Sequence, residues 1–244
     1  MSTDAAYLAL LLDAPLQSWG FESRFQRRTT GLHPTKSGVI GLICAAMGLA
    51  KGSLEEQADL PSLAKLTMTS IAIPRGGPRS VAAELPVRRM EDFHTVLKTR
   101  RASGKMNDEA VLTRRQYLLD ARFGVILAGD RALLERVSDA LQDPVWGVWF
   151  GRKSCIPAEP ILRRLFDTEP EARRVLIGDR PIEEFTTVVE VTRFEEGTDS
   201  LSDQPVSYGD ATSSGPDRRQ FAIRRIRVQP GVGLSAGSRF DADL

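Results

Sequence analysis

The chain has 244 residues, of which 41% are hydrophobic and 27% are charged. This length and composition suffice for one sizeable hydrophobic core, alone or with a small additional domain. The formal net charge of +1 excludes a protein that binds nucleic acid through a large overall basic excess, but it is compatible with a local basic patch.

The N-terminal part predicts a strand, a loop and a helix. A continuous apolar run at residues 7–12 is typical of a short buried strand. Residues 17–30 are polar and aromatic and contain three arginines, so we expect a loop. Thr35 or Ser37 then caps a helix that extends to about Leu49. Its many small residues predict close packing against a sheet.

The central part predicts strands separated by an inserted arm. Two extended runs, at residues 66–74 and 80–87, flank a turn rich in glycine and proline. Residues 88–115 are charged and lack apolar periodicity, and a further strand is predicted at residues 117–127. A polar segment between two core strands is typical of a projecting β-hairpin, so residues 88–115 are predicted to form a thumb.

A second helix and a fourth strand complete the first predicted domain. Asp130 caps an amphipathic helix whose apolar face runs along residues 133–141. Residues 145–150 predict an aromatic strand. The order strand, helix, strand, strand, helix, strand is the ferredoxin-like arrangement, which RNA-recognition modules also use. The sequence therefore predicts an α+β protein with a ferredoxin-like domain.

The C-terminal third predicts a small β-rich subdomain. Strands are expected at residues 185–194 and 220–228, with a polar loop at residues 195–217 between them. These strands predict a second, smaller sheet. The predicted boundaries are residues 1–158 for the ferredoxin-like domain and 159–244 for the C-terminal subdomain.

The cysteines and apolar stretches bear on location and on metal binding. Cys44 and Cys155 lie far apart, and only two histidines accompany them, which favours reduced thiols in a cytoplasmic protein. The longest apolar stretch, residues 39–50, is shorter than the roughly 20 residues that a membrane span requires. We therefore expect no membrane contact, no metal and no cofactor.

The predicted start of the first helix is one candidate phosphate site. Helix N-termini present free N–H groups and a partial positive charge. Residues 34–38 place a lysine and two hydroxyls there, after a loop that contains Arg27, Arg28 and His33. The spacing is not that of a P-loop. A plain helix cap with a solvated Lys36 is the alternative interpretation.

Trp19 and the thumb are further candidates for nucleic-acid contact. A tryptophan in a glycine-flanked loop can stack on a base, although it can equally fold over the core. The thumb has many arginines and lysines, but acidic residues accompany them, so a solvated face is the alternative to a phosphate contact. The turn at residues 151–154 is another basic candidate. The arginines at residues 224–227 fit either phosphate binding or a charged edge strand.

Catalytic patterns are scarce in the sequence. No HExxH or GxSxG motif is present, and only His33 and His94 titrate near neutral pH. Each has a lysine nearby in sequence, so a metal-independent endoribonuclease is one alternative to an RNA-binding protein. A scaffold whose arm binds only neighbouring proteins is the other.

Five segments, in order, resemble the family of CasD subunits of type I-E CRISPR Cascade, within the repeat-associated RNA-binding superfamily. They are Leu-Gln-Ser-Trp-Gly (16–20), Pro-Thr-Lys-Ser-Gly-Val-Ile-Gly-Leu (34–42), Asp-Phe-His-Thr-Val-Leu (92–97), Arg-Arg-Gln-Tyr-Leu-Leu-Asp-Ala (114–121) and Gly-Arg-Lys-Ser-Cys (151–155). The resemblance covers roughly residues 5–160 and extends only loosely to the C-terminal third.

The resemblance implies a ferredoxin-like domain with a projecting thumb and a non-catalytic role in antiviral defence. Such a subunit caps the 5′ handle of the CRISPR RNA, contacts the backbone and large subunits, and meets target DNA only through the complex. His94 matches a family motif at the base of the thumb, where we expect RNA contact rather than catalysis. The residues predicted to contact RNA are Gln17, Trp19, Arg27, Arg28, His33, Pro34, Thr35, Lys36, Ser37, Arg88, His94, Thr95, Arg114, Arg152, Lys153 and Ser154.

Overall fold

The computed structural model describes residues 5–20, 27–76, 84–85, 87–100, 103–107, 109–209 and 219–231. Most of the strand predicted at residues 80–87 lies outside these ranges. Along the described residues the helices are α1 (Lys36–Ala46), α2 (Leu54–Lys65), α3 (Arg131–Gln142) and α4 (Glu169–Ile177), with short 3₁₀ turns at Ile182–Glu184 and Phe194–Glu196. None of these helices is both long enough and apolar enough to cross a membrane.

The strands follow in chain order. They are β1 (Ala5–Asp13), β2 (Leu16–Gln17), β3 (Arg27–Arg28), β4 (Thr67–Ala72), β5 (Arg75–Gly76), β6 (Glu84–Leu85), β7 (Arg88–Val96), β8 (Thr99–Arg100), β9 (Met106–Asn107), β10 (Val111–Leu119), β11 (Arg122–Asp130), β12 (Leu162–Phe166), β13 (Thr187–Glu190), β14 (Asp199–Ser207) and β15 (Gln220–Gln229). The prediction of a mixed α and β chain is confirmed.

Seven strands form one antiparallel main sheet in the order β12–β1–β11–β4–β13–β15–β14. Successive side chains of a strand point to opposite faces, and both faces of β1 are buried. Leu8 and Leu10 belong to the core cluster that includes α1 and α3, whereas Leu11 packs in the cluster that includes α4. This two-sided burial explains why β1 is a continuous apolar run, as predicted.

The predicted helices at residues 35–49 and 130–141 are present, and each has the expected cap. Thr35 Oγ1 accepts a hydrogen bond from the Gly38 N–H at 3.3 Å, and Asp130 Oδ1 accepts one from the Leu133 N–H at 2.9 Å. Each side chain satisfies a backbone donor that the first turn of a helix leaves unpaired. A Cβ on Gly38 would lie 2.9 Å from the Trp19 ring, so this small residue allows α1 to lie close to the segment after β2.

The thumb is a β-hairpin, as predicted. Strands β7 and β10 pair antiparallel from Arg88 opposite Leu119 to Val96 opposite Val111. The short strand β3 pairs parallel to β10, and β2 pairs with the end of β10 that is nearest the main sheet. These four strands form a second sheet, called the thumb sheet below.

The single strand predicted at residues 117–127 is instead two strands. Asp120 has φ = +48°, a left-handed conformation that interrupts an extended chain. Residues 117–119 therefore complete the thumb, whereas β11 begins at Arg122 and enters the main sheet.

The aromatic strand predicted at residues 145–150 is wrong. The N–H groups of Val145 and Trp146 donate to the carbonyls of Ala46 and Ala45, at 2.9 and 3.3 Å. The segment therefore satisfies carbonyls at the C-terminal end of α1 instead of joining a sheet. The edge strand beside β1 is β12.

The prediction of a separate C-terminal sheet is also wrong. Strand β13 pairs with β4, so β13, β15 and β14 extend the main sheet. The polar loop predicted at residues 195–217 contains β14, whose alternating buried residues pack beneath α1 and α2. The division predicted at residue 158 therefore does not coincide with a break in the sheet.

Candidate nucleic-acid interface

A cleft of about 1120 Å³ lies at the N-terminal end of α1, between the thumb sheet and the C-terminal strands of the main sheet. On the thumb side it is lined by Gly20, Arg28, Arg115, Gly151 and Arg152. On the side of β14 and β15 it is lined by Ser200, Ser202, Asp203, Arg219, Phe221 and Ile223. Residues Thr35, Ser37 and Gly38 of α1 and its cap lie between the two sides.

Three arginines are gathered on the thumb side of the cleft. The parallel pairing of β3 with β10 places Arg28 opposite Arg115. Arg152 donates from Nη2 to the Arg28 carbonyl at 3.2 Å, and its guanidinium lies 4.4 Å from the centre of the Tyr117 ring. No carboxylate in the described part of the chain pairs with these three arginines. They therefore form a local positive surface that the net charge of the chain conceals.

Within the described part of the chain, one buried nitrogen of this arginine cluster makes no hydrogen bond. Arg152 Nη1 is buried and makes no hydrogen bond with the described residues. A buried unpaired donor costs free energy, roughly 1–3 kcal/mol, that an acceptor at this position would recover. A phosphate oxygen is such an acceptor, since guanidinium groups bind phosphate through paired N–H donors.

The backbone at Gly151 fixes the turn that carries Arg152. Gly151 has φ = +92°, and a Cβ on this residue would lie 1.7 Å from the Ser18 carbonyl oxygen. The Ser18 N–H donates to the Phe150 carbonyl at 3.0 Å and joins the two segments. Only glycine fits this close approach without displacing the turn.

The N-terminus of α1 differs from the phosphate site that was predicted. The backbone N–H of Lys36 donates to Asp203 Oδ2 at 2.8 Å, so a carboxylate of the chain itself occupies this position. Asp203 also receives two hydrogen bonds from Arg224, at 2.9 and 2.7 Å. The helix N-terminus is therefore neutralised from within the fold.

Lys36 fits neither the predicted phosphate contact nor the alternative of a solvated lysine. Its side chain is 1% exposed, and its Nζ donates to both carboxylate oxygens of Glu190 at 2.9 Å. Burial lowers the pKa of Lys36, and the Glu190 carboxylate opposes that shift. Lys36, Glu190, Asp203 and Arg224 thus form a buried charge network that joins α1 to the C-terminal strands.

Gln17 and Trp19 are structural residues rather than exposed RNA contacts. Trp19 is 1% exposed and lies 5.8 Å from the Phe150 ring, so neither face is free to stack on a base. Its Nε1 donates to Gln17 Oε1 at 3.0 Å. The Gln17 amide in turn donates to the carbonyls of Leu12 and Ala121, at 2.9 and 2.7 Å. The alternative interpretation, a tryptophan folded over the core, holds.

His94 lies in the thumb and does not line the cleft. Its Nδ1 is 2.9 Å from Asp92 Oδ2, and its Nε2 is 3.1 Å from Thr113 Oγ1. Both ring nitrogens therefore have partners within the hairpin, and the ring is held between strands β7 and β10.

The other predicted thumb contacts are exposed and also lie outside the cleft. Arg27 and Arg114 lie 3.6 and 3.7 Å from the Glu91 carboxylate, and Arg88 donates to Asp120 at 2.7 Å. Thr95 is exposed on β7, where it lies opposite Leu112 of β10. Such exposed ion pairs contribute little to stability, typically below about 1 kcal/mol.

The remaining predicted residues are neighbours in sequence of Thr35 and Arg152 but do not line the cleft. His33 is half-buried, with Nδ1 3.2 Å from the Pro34 carbonyl, and burial lowers its pKa. Pro34 is buried. Lys153 and Ser154 are exposed beyond the turn, with the Lys153 ammonium 5.8 Å from the Trp149 ring. Of the sixteen predicted contacts, those that line the cleft are Trp19, Arg28, Thr35, Ser37 and Arg152.

The sequence prediction missed Arg115 and the whole C-terminal side of the cleft. Alternation along a strand offered one signal, because the side chains of Arg114 and Arg115 must point to opposite faces of β10. Arg115 faces the cleft, whereas Arg114 lies over the Phe93 ring on the other face. No local signal identified Arg219 and Phe221, since their position depends on long-range strand pairing.

A family model described as CRISPR-associated protein (Cas_Cas5) matches residues 7–227. The chain belongs to this family. The resemblance predicted from five sequence segments is therefore confirmed, and the match extends through the C-terminal strands that those segments did not cover.

Individual proteins similar to this chain are also CRISPR-associated. The chain is 30% identical over 165 residues to the "CRISPR system Cascade subunit CasD" of Escherichia coli (strain K12), which covers 64% of this chain and 69% of that protein. A solved "CRISPR RNA-guided surveillance complex" contains a chain with a TM-score of 0.68 and 27% identity, covering 96% of this chain and 95% of that chain. A "Crystal structure of Cas protein" gives a TM-score of 0.62 and 30% identity, with 92% and 95% covered.

Proposed function

We propose that this chain is a non-catalytic, RNA-binding Cascade subunit of a CRISPR surveillance complex in the cytoplasm, and that it caps the 5′ handle of the CRISPR RNA. The observation that carries this proposal is the cluster of Arg28, Arg115 and Arg152, which lines an open cleft without a carboxylate partner among the described residues. A relative that is a Cascade subunit and a similar chain in an RNA-guided complex support the assignment.

The cleft suits a single strand better than a duplex. Sequence-specific RNA recognition mainly targets unpaired nucleotides, because the deep groove of A-form RNA is closed to side chains. The arginines would neutralise phosphates, and the hydroxyls of Thr35, Ser37, Ser200 and Ser202 lie around the same space. Hydroxyl groups can bond both 2′-hydroxyls and base edges.

The thumb is proposed to contact the neighbouring backbone and large subunits. Under this proposal the chain contacts target DNA only indirectly, through the assembled complex. Among its described residues, the hairpin exposes the apolar side chains of Phe93, Leu97, Leu112 and Met106. An exposed apolar group of this kind is typical of an interaction surface.

The fold supports a ferredoxin-like core for this subunit. Strands β1, β4, β11 and β12 lie side by side in the order β12–β1–β11–β4, with helices after β1 and β11. We propose that these strands with α1 and α3 are the ferredoxin-like unit, and that the thumb is inserted between its second and third strands.

The test is a gel shift with labelled CRISPR repeat RNA in buffer that contains EDTA, performed with the chain alone and with the assembled complex. We expect retarded, intact RNA and weaker binding by the double variant Arg115→Ala/Arg152→Ala. Arg174→Ala is the matched control, because Arg174 lies on α4 and pairs with Asp179 away from the cleft. Equal binding by the double variant and the control would overturn the proposal.

The rival function, a metal-independent endoribonuclease, is addressed by the same gel. The observation in its favour is the Asp92–His94–Thr113 arrangement, since a carboxylate beside an imidazole can orient a general base. A nuclease would give a discrete cut in EDTA that His94→Gln abolishes. Intact RNA with wild-type protein would exclude this activity on that substrate.

A further inference from the structure

The side of the cleft formed by β14 and β15 differs in chemistry from the thumb side. Arg219, directly before β15, and the alternating β15 residues Phe221 and Ile223 line the cleft together. Ile223 is 76% exposed, which is unusual for a large aliphatic residue in a sheet. The thumb side, by contrast, presents guanidinium groups.

Arg219 and Phe221 form a stack. The Arg219 guanidinium lies 5.6 Å from the centre of the Phe221 ring, and Tyr208 meets that ring edge-on at 6.2 Å. Tyr208 is itself held by a hydrogen bond from its hydroxyl to the Ser37 carbonyl. Phe221 is thus supported from below, whereas Arg219 is exposed above it. Planar groups of this kind, aromatic or guanidinium, are the surfaces on which unpaired bases stack.

The carboxylate on this side does not oppose an RNA strand. Asp203 lines the cleft, but it accepts two hydrogen bonds from Arg224 and one from the Lys36 N–H. Its charge is therefore balanced within the fold. Among the described lining residues on this side, the other polar side chains include the cationic Arg219 and the neutral hydroxyls of Ser200 and Ser202.

We propose that Arg219, Phe221 and Ile223 form a stacking platform for unpaired nucleobases, opposite the arginines that hold the phosphates. This inference rests on the proposed function and gives the C-terminal strands a role in it. A single strand lies in the cleft with its backbone towards Arg28, Arg115 and Arg152 and its bases against β15. Recognition by stacking tolerates many sequences, because every base has a flat face.

The experiment compares two probes, a single-stranded RNA with the sequence of the repeat and the same strand with abasic nucleotides. The double variant Phe221→Leu/Ile223→Ser keeps an apolar residue against Tyr208 and removes the ring and the exposed aliphatic group. We expect its affinity for the base-bearing strand to fall at least about fivefold, while its affinity for the abasic strand equals that of the wild type. The control is Val206→Ser, because Val206 is an exposed residue of β14 outside the cleft.

Thermal denaturation of each variant verifies the fold. Ile223→Ser alone changes only an exposed side chain, so it tests the platform without altering the packing of Phe221 against Tyr208. The platform is overturned if wild type and double variant bind the base-bearing strand equally, or if the double variant loses affinity for both strands to the same extent. A wild-type protein that binds neither strand would overturn the proposed function and the platform together. Binding of both strands that depends on Arg152 but not on Phe221 or Ile223 would leave the proposed function and remove the platform.

Discussion

Asp203 accepts a hydrogen bond from the backbone N–H of Lys36, at 2.8 Å, and so places a carboxylate of β14 at the N-terminus of α1. The positive end of the helix dipole and the Arg224 guanidinium both stabilise this buried charge. The contact joins the N-terminal half of the chain to strands that come much later in the sequence. It also forms part of the wall of the cleft.

We predict that Asp203→Ala lowers the free energy of unfolding by about 3–5 kcal/mol, because it leaves the buried Arg224 without its bidentate partner. Urea denaturation of the variant and the wild type measures this difference. Asp199→Ala is the control on the same strand, since Asp199 is exposed and its change should fall within about 0.5 kcal/mol. A loss from Asp203→Ala as small as that of the control would show that the network is not stabilising.

The salt dependence of RNA binding should separate Arg152 from Lys36. Each phosphate contact that is lost reduces the slope of log K against log salt concentration by about 0.7 for a single strand. We expect this reduction for Arg152→Ala and for Arg115→Ala. Lys36→Met should destabilise the protein and leave the slope unchanged, because the Lys36 ammonium is buried against Glu190. A lower slope for Lys36→Met would show that Lys36 does contact a phosphate.

Local sequence signals predicted the elements whose stability is local. The apolar run predicted β1, and the polar insertion predicted the thumb hairpin. The caps at Thr35 and Asp130 predicted where α1 and α3 begin. Helix α2 was missed although its sequence holds a capping-box pattern, Ser53-Leu54-Glu55-Glu56. Ser53 accepts from the Glu56 N–H at 3.1 Å, and Glu56 accepts from the Gly52 N–H. Pro61 and a weak apolar face obscured this helix.

The C-terminal side of the site could not be predicted, because it depends on pairing between distant strands. Val188 lies opposite Ser70, and this register carries β15 and β14 to the side of α1. The fate of Lys36 depends on the same pairing, since Glu190 belongs to β13. Local sequence predicted the cap at Thr35 correctly, but it held no information about which carboxylates meet the helix.

We predict that Gly151→Ala lowers the free energy of unfolding by more than the strain of a positive φ alone would. The new Cβ would meet the Ser18 carbonyl at 1.7 Å and displace the turn before Arg152. Gly104→Ala is the matched control, because Gly104 also has a positive φ, +80°, but has no atom within 4 Å of the added Cβ. We expect the control to lose no more than about 1–2 kcal/mol of unfolding free energy, and Gly151→Ala to lose more and to bind RNA less tightly. Equal losses would mean that the turn adapts to the methyl group.

His33 should make the protein less stable at acid pH. Burial lowers its pKa below the ordinary value of 6.5, so the unfolded chain takes up a proton before the folded chain as the pH falls. The free energy of unfolding therefore decreases below about pH 6.5, since protons favour the unfolded state. His33→Asn, whose amide can replace the ring Nδ1, should show a smaller decrease in urea denaturation across this range. Parallel pH curves for the two proteins would contradict the prediction.

Cys44 and Cys155 should resist thiol reagents in the folded protein. Both are buried, and burial, with the nearby carboxylates of Glu56 and Asp59, raises the pKa of Cys44 to about 12. Since the thiolate is the reactive form, labelling by a thiol-specific disulfide at mildly alkaline pH should occur only when the chain unfolds. Rapid labelling of the native protein would show that this part of the core opens without global unfolding.

The Cys44 thiol should also make the protein less stable at alkaline pH. In the unfolded chain this thiol ionises near its ordinary pKa of 9.0, so it leaves the free energy of unfolding unchanged below that pH and lowers it as the pH rises towards 12. Cys44→Ala should therefore lose less stability over this alkaline range than the wild type.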